Sequence, residues 1–263
     1  MILTEENYYS TKANLHYMSA SQYKDFLKCE ALALAKLRGE FNEFKQEALT
    51  LGSYVHAAIE SPEAFEKFKN DTPDIYTAKK ELKAPYKHAD VMIESVLSDE
   101  LCNMVLQGDK EVILTAELFG APWKSKIDVL AREFGRFTDL KTVKSIRDRY
   151  WDGSKYVSFV EIYKYDVQMA IYSEIEKRSS KSFERLEPLI VAVSKEDIPD
   201  KEIICFDEAN LEQKLMEIEQ SMPRIIQVKN GQVDPVRCGK CTYCRKTKQV
   251  QSMTHYLDLL EGA

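Results

Sequence analysis

The sequence lacks the features of a membrane protein, a secreted protein or a repeat protein. No apolar run in its 263 residues approaches the roughly 20 residues of a membrane-spanning helix. The first ten residues are polar and acidic, which argues against a secretory signal peptide, so we expect a cytoplasmic protein. There is no internal repeat and no low-complexity tract. A hydrophobic content of 44% therefore predicts one sizeable globular fold.

An excess of positive charge is also absent. The chain has 37 Lys and Arg against 43 Asp and Glu, a formal net charge of −6. This balance argues against a protein that coats nucleic acid over its whole surface, but it leaves room for a local basic channel. Basic residues cluster in two places, Lys141, Lys144, Arg147 and Arg149 in the middle and Arg237, Lys240, Arg245, Lys246 and Lys248 near the C-terminus. Each cluster is equally compatible with a solvated surface.

The most informative stretch is an alternating pattern that predicts a β-hairpin. One strand covers 123–132, a turn covers 133–135, and a return strand covers 136–143. Side chains of a strand alternate between its two faces, so Asp139 and Lys141 lie side by side on one face.

This arrangement suits metal-dependent cleavage of a phosphodiester. Asp128 and Asp139 come from neighbouring strands and could hold a hard divalent ion, with the carbonyl of Leu140 as a further oxygen ligand. Lys141 could orient a water or stabilise charge on the phosphate. Asp-x-Lys is common by chance, so an ordinary surface hairpin is the alternative.

A helix is predicted at 47–60. His56 and Glu60 are four residues apart and share one face. The His56 imidazole could be a further metal ligand or a contact to the scissile phosphate, although a lone helical histidine is more often structural. Gly52 would permit close approach of another backbone.

Further helices and strands complete an alternating α and β pattern. Helices are predicted at 19–37, 88–106, 158–178 and 208–228, strands at 112–119, 186–193 and 202–206, and a short helix with a loop at 61–87 that could arch over a substrate. Glu117 is a further acidic candidate for the site. Gln168 and Tyr172 project together from one helix because they are four residues apart.

The cysteines form a second motif. Cys238, Cys241 and Cys244 stand in a C-x₂-C-x₂-C run, a spacing that lets thiolates wrap one soft metal centre. His255 is the nearby candidate for a fourth ligand, and Cys29 is the distant one. Zinc and a [4Fe–4S] cluster are both open, a reactive dithiol fits less well, and a disulfide framework is not expected in a cytosolic protein.

Together these motifs resemble the PD-(D/E)XK nuclease superfamily, in its RecB-like branch. That branch shows a Gly…His helix, a strand Asp, an Asp/Glu-x-Lys strand and a Gln-x₃-Tyr helix in this order. The matching residues are Gly52 and His56, Asp128, Asp139-Leu140-Lys141, and Gln168 and Tyr172. The resemblance covers roughly residues 19–250. In one departure, Ser125 stands three residues before Asp128, where members often have Gly.

The resemblance implies an α/β fold with a restriction-endonuclease-like core, a central mixed β-sheet flanked by helices. We expect one nuclease domain over 1–263, with a helical part at 1–110, the catalytic sheet at 111–206, and a helix and the cysteines at 207–263. The N- and C-terminal segments would be joined by a metal cluster.

The resemblance also implies roles for individual residues. Mg²⁺ or Mn²⁺ would be held by His56, Asp128, Asp139 and the Leu140 carbonyl, with Lys141 orienting the attacking water. Contacts to DNA, or support of the catalytic strand, would come from Gln168, Tyr172, Lys144 and Arg147.

For the cysteines, several members carry an iron–sulfur cluster held by one cysteine before the nuclease core and three after it. Cys29, Cys238, Cys241 and Cys244 repeat that layout. The resemblance therefore implies a [4Fe–4S] cluster with Cys29 as its fourth ligand, and zinc is the alternative. Cys102 and Cys205 would be core thiols.

A finer resemblance is to phage and prophage exonucleases of the RecE, or exodeoxyribonuclease VIII, type. It implies resection of linear duplex DNA ends, in the 5′→3′ direction, for recombination with a single-strand annealing partner. Homo-oligomers are a further expectation, because relatives that encircle DNA form rings. The alternatives are a single-strand or end-trimming exonuclease like the CRISPR-adaptation nucleases, and a DNA- or partner-binding module without turnover.

Overall fold

The computed structural model describes residues 1–41, 47–253 and 255–257. The helices that precede the sheet are α1 Thr11–His16, α2 Ala20–Lys28, α3 Glu30–Leu37, α4 Glu47–Glu60, α5 Pro62–Asp71, α6 Ala84–Leu97 and α7 Glu100–Val105. The elements that follow are β1 Asp109–Leu118, β2 Ala121–Ala131, β3 Arg136–Val143, β4 Tyr150–Trp151, β5 Tyr156–Val157, α8 Phe159–Ile162, α9 Tyr165–Ser180, β6 Glu187–Ser194, β7 Lys201–Cys205, α10 Glu208–Lys229 and α11 Thr242–Lys246.

Five of the strands form a mixed sheet in the order β1-β2-β3-β6-β7. β1, β2 and β3 run antiparallel to one another, β3 pairs in parallel with β6, and β6 pairs antiparallel with β7. A parallel pair needs a long crossover, which here carries the small β4–β5 hairpin, α8 and α9. The expected α/β fold with a central mixed sheet and flanking helices is confirmed.

Helices cover both faces of this sheet. On one face Phe137 and Ile127 pack into a core with residues of α2, α9 and α10. On the other face Leu140 and Val129 pack into a second core with α4, α6 and α7. The predicted alternation of β3 is therefore confirmed. In β2, however, Ile127 and Val129 belong to opposite cores, although residues two apart in a regular strand share one face. The regular alternation of β2 is therefore interrupted at Asp128.

The predicted hairpin is paired over only part of its length. Its β2–β3 ladder contains three pairs next to the turn, Val129 with Thr138, Leu130 with Phe137, and Ala131 with Arg136. Beyond them the two strands separate. The result is a fork in the sheet, with Asp128 and Asp139 as the first residues past the last paired position.

Three helices expected to be continuous are each divided in two. The prediction at 19–37 is wrong at Cys29, which has an extended backbone with φ −167° between α2 and α3. The helix predicted at 88–106 is divided into α6 and α7. Asp99 lies between them and caps α7 by accepting a hydrogen bond from the Cys102 N–H at 3.0 Å. The helix at 158–178 is divided at Lys164, whose φ is 53°.

Side-chain caps mark the beginning of two other helices. Ser19 accepts a hydrogen bond from the Gln22 N–H and begins α2, and Asp207 accepts one from Asn210 and begins α10. Residue 254 and residues 258–263 of the segment expected at 207–263 lie outside the described residues. Among the helices described, none combines the length and the apolar character needed to cross a membrane.

Candidate active site

A cleft with a volume of about 1210 Å³ opens at the fork between β2 and β3. Its walls come from the N-terminal segment, α4, α5, the two separating strands and α9. α4 approaches the sheet closely, because a Cβ added to Gly52 would lie 3.4 Å from the Thr142 hydroxyl oxygen. The neighbour of Gly52 is thus a side chain at an ordinary contact distance, and not the backbone that the sequence led us to expect.

The predicted pair His56 and Asp128 meets in this cleft. The His56 Nδ1 atom lies 3.4 Å from the Asp128 Oδ2 atom. The same Asp128 oxygen accepts a hydrogen bond from the Leu140 backbone N–H at 2.8 Å. The Leu140 peptide is therefore tied to the site through its N–H.

Glu111 joins these two residues, and sequence reasoning missed it. One ligand atom each from His56, Glu111 and Asp128 lies within 4.8 Å of the others. The Glu111 carboxylate is also 2.5 Å from the Lys126 ammonium. The sequence prediction named Glu117 on the same strand, and that side chain is exposed and does not line the cleft.

The position of Glu111 follows from the turn that joins β1 and β2. Phe119 and Gly120 both have positive φ, 50° and 79°, as a two-residue type I′ turn requires. Counting back from this turn places Glu111 opposite Asp128. The ladder skips that pair, and Glu111 itself has φ 54°, a left-handed conformation that costs a non-glycine residue on the order of 1–3 kcal/mol. The turn was a usable signal for Glu111.

The carboxylates at the fork are in an unfavourable electrostatic environment. Burial raises the pKa of Asp128 to about 6; the nearby Asp139 adds to the rise, and His56 opposes it. Burial also disfavours the Lys141 ammonium, but Asp139 and Asp128 outweigh it and raise the pKa of Lys141. Lys141 forms an ion pair with Asp139. Lys141 is thus a cation that two close acidic groups share.

A buried hydrogen-bond relay holds the other oxygen of Asp139. The Gln168 side-chain N–H₂ donates to Asp139 Oδ1 at 2.8 Å, and the Lys24 ammonium donates to the Gln168 carbonyl oxygen at 3.0 Å. Burial, and then repulsion from Lys141, lowers the pKa of Lys24 to about 7. The sequence reasoning predicted that Gln168 supports the site and missed Lys24, which reaches it from α2.

The remaining predicted residues differ in position. Tyr172 lines the cleft with Gln168, and burial raises its pKa well above the ordinary value, so it stays a neutral phenol. Lys144 also lines the cleft. Arg147 does not, and its guanidinium pairs with Glu202 at 2.6 Å. Lys195, at the end of β6 beside β3, lines the cleft and was not predicted.

The four expected cysteines come together away from this cleft, between α3 and α11. Three distances between their sulfur atoms are 3.6 Å from Cys29 to Cys244, 3.8 Å from Cys241 to Cys29 and 4.0 Å from Cys238 to Cys244. His255, the other candidate, is exposed and is outside this group.

The two other cysteines differ from each other. Cys102 is buried as predicted, whereas Cys205 is exposed, so its assignment to the core was wrong.

Comparisons with known proteins agree with this architecture. The profile of a family described as "PDDEXK-like domain of unknown function (DUF3799)" matches residues 19–247. A crystal structure of a "Putative exonuclease" from Eubacterium rectale is similar over 100% of both chains, with 40% sequence identity and a TM-score of 0.93. A search of the curated proteins found no match.

Proposed function

The chain belongs to the PDDEXK-like family, and from this premise we propose that it is a metal-dependent DNA exonuclease. The family and the similar structure support a nuclease. The observation that carries the proposal is the convergence of His56, Glu111 and Asp128 at a fork in the sheet, next to Asp139 and Lys141. We extend the assignment to a single nuclease domain over the whole chain.

The donor set at the fork fits a hard divalent ion. Carboxylate oxygens suit Mg²⁺ and Mn²⁺, and an imidazole nitrogen is tolerated better by Mn²⁺. Packing Asp128 beside Asp139 without a cation is unfavourable, as the raised pKa of Asp128 indicates. We assign His56, Glu111, Asp128, Asp139 and the Leu140 carbonyl as the residues that would hold it. When bound, such an ion supplies Lewis-acid charge stabilisation for phosphodiester hydrolysis.

The side chains around Asp139 have separate tasks in this proposal. Lys141 orients the attacking water and offsets negative charge on the phosphate. Gln168 holds Asp139 in place through the hydrogen bond to its Oδ1 atom. Tyr172 and Lys144 line the cleft where the DNA strand would lie. Lys195 lines the same cleft and adds to its basic surface.

The finer substrate assignment comes from the RecE-type resemblance. We propose resection of linear duplex ends in the 5′→3′ direction, in phage-type recombination, with a single-strand annealing protein as partner and a homo-oligomer as the working form. A second candidate substrate is a single-stranded end. Tyr9 lines the cleft although its side chain is 73% exposed, and exposed aromatic rings of this kind stack against unpaired bases.

The deciding experiment is cleavage of an end-labelled linear duplex with Mg²⁺ or Mn²⁺, next to tailed-duplex and single-strand substrates. Asp139→Asn should lose cleavage while it keeps its fold and its affinity for DNA. Glu117→Gln, which changes an exposed acid on β1, is the matched control and should behave as the parent chain. An active Asp139→Asn protein would remove the site assignment, and DNA binding without metal-stimulated cleavage by the parent would favour a binding module.

A further inference from the structure

The four cysteine sulfurs are as close to one another as the ligands of a single metal ion. The distances from Cys29 to Cys244 and to Cys241 are 3.6 and 3.8 Å, and Cys238 lies 4.0 Å from Cys244. All four sulfurs lie within 4.8 Å of one another. This group of Cys29, Cys238, Cys241 and Cys244 is called the sulfur cage below.

These separations discriminate between the two candidate metal centres. Four thiolates at about 2.3 Å from one tetrahedral zinc ion are about 3.8 Å apart. A [4Fe–4S] cluster places four irons and four sulfides between the thiolates, which must then be roughly 6 Å or more apart. We propose that the sulfur cage holds one tetrahedral zinc ion rather than an iron–sulfur cluster.

The two chain segments that carry the cage are joined by contacts that do not involve the metal. On one side, the Glu30 carboxylate accepts hydrogen bonds from the Val236 N–H at 2.7 Å and from the Arg224 guanidinium at 2.9 Å. The Ala31 N–H donates to the Val236 carbonyl at 3.2 Å. Glu30 and Ala31 follow Cys29 directly, and Val236 lies two residues before Cys238. These bonds hold the chain just after Cys29 against the chain just before Cys238.

Backbone hydrogen bonds to sulfur further order the C-terminal cysteines. The Cys241 N–H donates to the Cys238 sulfur at 3.3 Å, and the Cys244 N–H donates to the Cys241 sulfur at 3.4 Å. Such bonds orient thiolate ligands and belong to a site whose ligands are already arranged. Aromatic packing of Phe41 on Tyr243, with ring centroids 5.5 Å apart, covers this side of the cage.

A zinc ion in this cage would have a structural role. Zinc has no redox chemistry, and a site with four protein ligands leaves no open position for a substrate. It would join the break between α2 and α3 to the segment before α11, residues more than 200 positions apart. The inference is independent of the proposed nuclease activity, since it concerns a different set of residues.

The test is metal and sulfide analysis of protein purified without oxygen from medium that contains both zinc and iron. The Asp128→Asn variant is used, so that the His56–Glu111–Asp128 group does not add a second ion. We expect about one zinc per chain, almost no iron, no acid-labile sulfide and no visible chromophore.

Cysteine variants assign the ion to the cage. In the same background, Cys29→Ser should lower the zinc content severalfold, whereas Cys205→Ser, at an exposed cysteine outside the cage, should leave it unchanged. If Cys29→Ser does not fold, metal release from the Asp128→Asn protein by a thiol-modifying reagent gives the same assignment. About four irons with four sulfides per chain and a brown colour would overturn the proposal, as would zinc that is unaffected by these treatments.

Discussion

Two groups of metal-binding side chains in this molecule are built on different principles. The group at the fork offers carboxylates and an imidazole to an open cleft, and its acids are close enough to raise the pKa of Asp128 to about 6. The sulfur cage offers four thiols, of which Cys29 and Cys244 are buried, and lies away from the cleft. One site is accessible and electrostatically unfavourable without a cation, as chemistry requires. The other is partly buried and has four protein ligands, as a structural site requires.

This difference predicts that damage to the two sites will have opposite consequences. Loss of a ligand at the fork should remove activity and leave the fold intact. Loss of a ligand in the sulfur cage should weaken the fold and leave the chemistry of the remaining folded molecules intact.

The largest effect is expected for Asp128→Asn. Charge stabilisation worth several kcal/mol is lost, and each 1.4 kcal/mol is a factor of ten, so the cleavage rate should fall roughly a thousandfold or more. Folding raises the pKa of Asp128 from 3.8 to about 6, so above pH 6 the ionised carboxylate destabilises the folded chain. Without metal, the Asp128→Asn variant should therefore be more stable than the parent chain at neutral pH. Initial rates and thermal unfolding measure both. A variant that keeps a tenth of the activity, or that unfolds more easily, would contradict this account.

Cys29→Ser should show the reverse pattern. Metal binding in a structural site contributes folding free energy, so we expect the free energy of unfolding to fall by on the order of several kcal/mol. Cleavage per folded molecule should stay within about twofold of the parent, since the cage is remote from the fork. Denaturant unfolding and active-site titration provide the measurements, with Cys205→Ser as the control. Lost activity at unchanged stability would reverse the roles of the two sites.

Glu111→Gln tests whether the third residue of the fork group belongs to it functionally. Removing one carboxylate should raise the Mg²⁺ concentration for half-maximal rate by at least about tenfold. Loss of a residue that only supports a metal ligand already lowers metal affinity by about tenfold or more, and loss of a ligand itself should lower it at least as much. Glu117→Gln on the same strand should leave that concentration unchanged. Equal behaviour of the two variants would exclude Glu111 from the site.

Lys24→Met tests the relay to Asp139. Loss of a hydrogen bond from the ammonium to Gln168 should lower kcat about tenfold with KM unchanged, and Lys24→Arg should recover part of it. If Lys24 acts through Gln168, Lys24→Met adds nothing in a Gln168→Ala background. Exposed Lys28 on the same helix gives the control, Lys28→Met. Additive effects, or a change in KM alone, would indicate a direct contact to DNA.

The smallest effect is expected on DNA affinity. Each phosphate contact contributes about 0.9 to the slope of log affinity against log salt for duplex DNA. Because Lys195 lines the cleft, Lys195→Met should make this negative slope less steep by about 0.9. Arg147→Met should not, since Arg147 is paired with Glu202 outside it. Binding isotherms at several salt concentrations with a catalytically inactive chain decide this, and a larger effect of Arg147 would place the DNA on another face.

The residues that sequence reasoning placed correctly are those fixed by local patterns. β3, α4 and α10 were predicted from alternation and helical spacing, and the pairing of Asp139 with Lys141 on one face followed from the alternation of β3. The helix break at Cys29 has no Gly or Pro to mark it. It exists where the sulfur cage and the contacts of Glu30 with the C-terminal segment lie, and these are tertiary interactions.

Lys195 and Lys24 were missed for a similar reason. Lys195 reaches the cleft only because β6 lies in parallel beside β3, and Lys24 only because α2 packs on α9. A single sequence does not state which strands or helices are neighbours. Glu111 is different, because its position opposite Asp128 follows from the two-residue turn at Phe119 and Gly120. The glycine of this turn is a signal in the sequence.

That turn makes the active site depend on the length of a surface loop. Glu111 lies opposite Asp128 because two residues, and no more, connect β1 to β2. An insertion or deletion of one residue there would slide β1 past its neighbour and bring Lys110 or Val112 to the position of the acid. A change of this kind alters no catalytic side chain, yet it exchanges an anion for a cation or a hydrocarbon at the fork. Natural variation in the length of this turn should therefore be far more restricted than its distance from the cleft suggests.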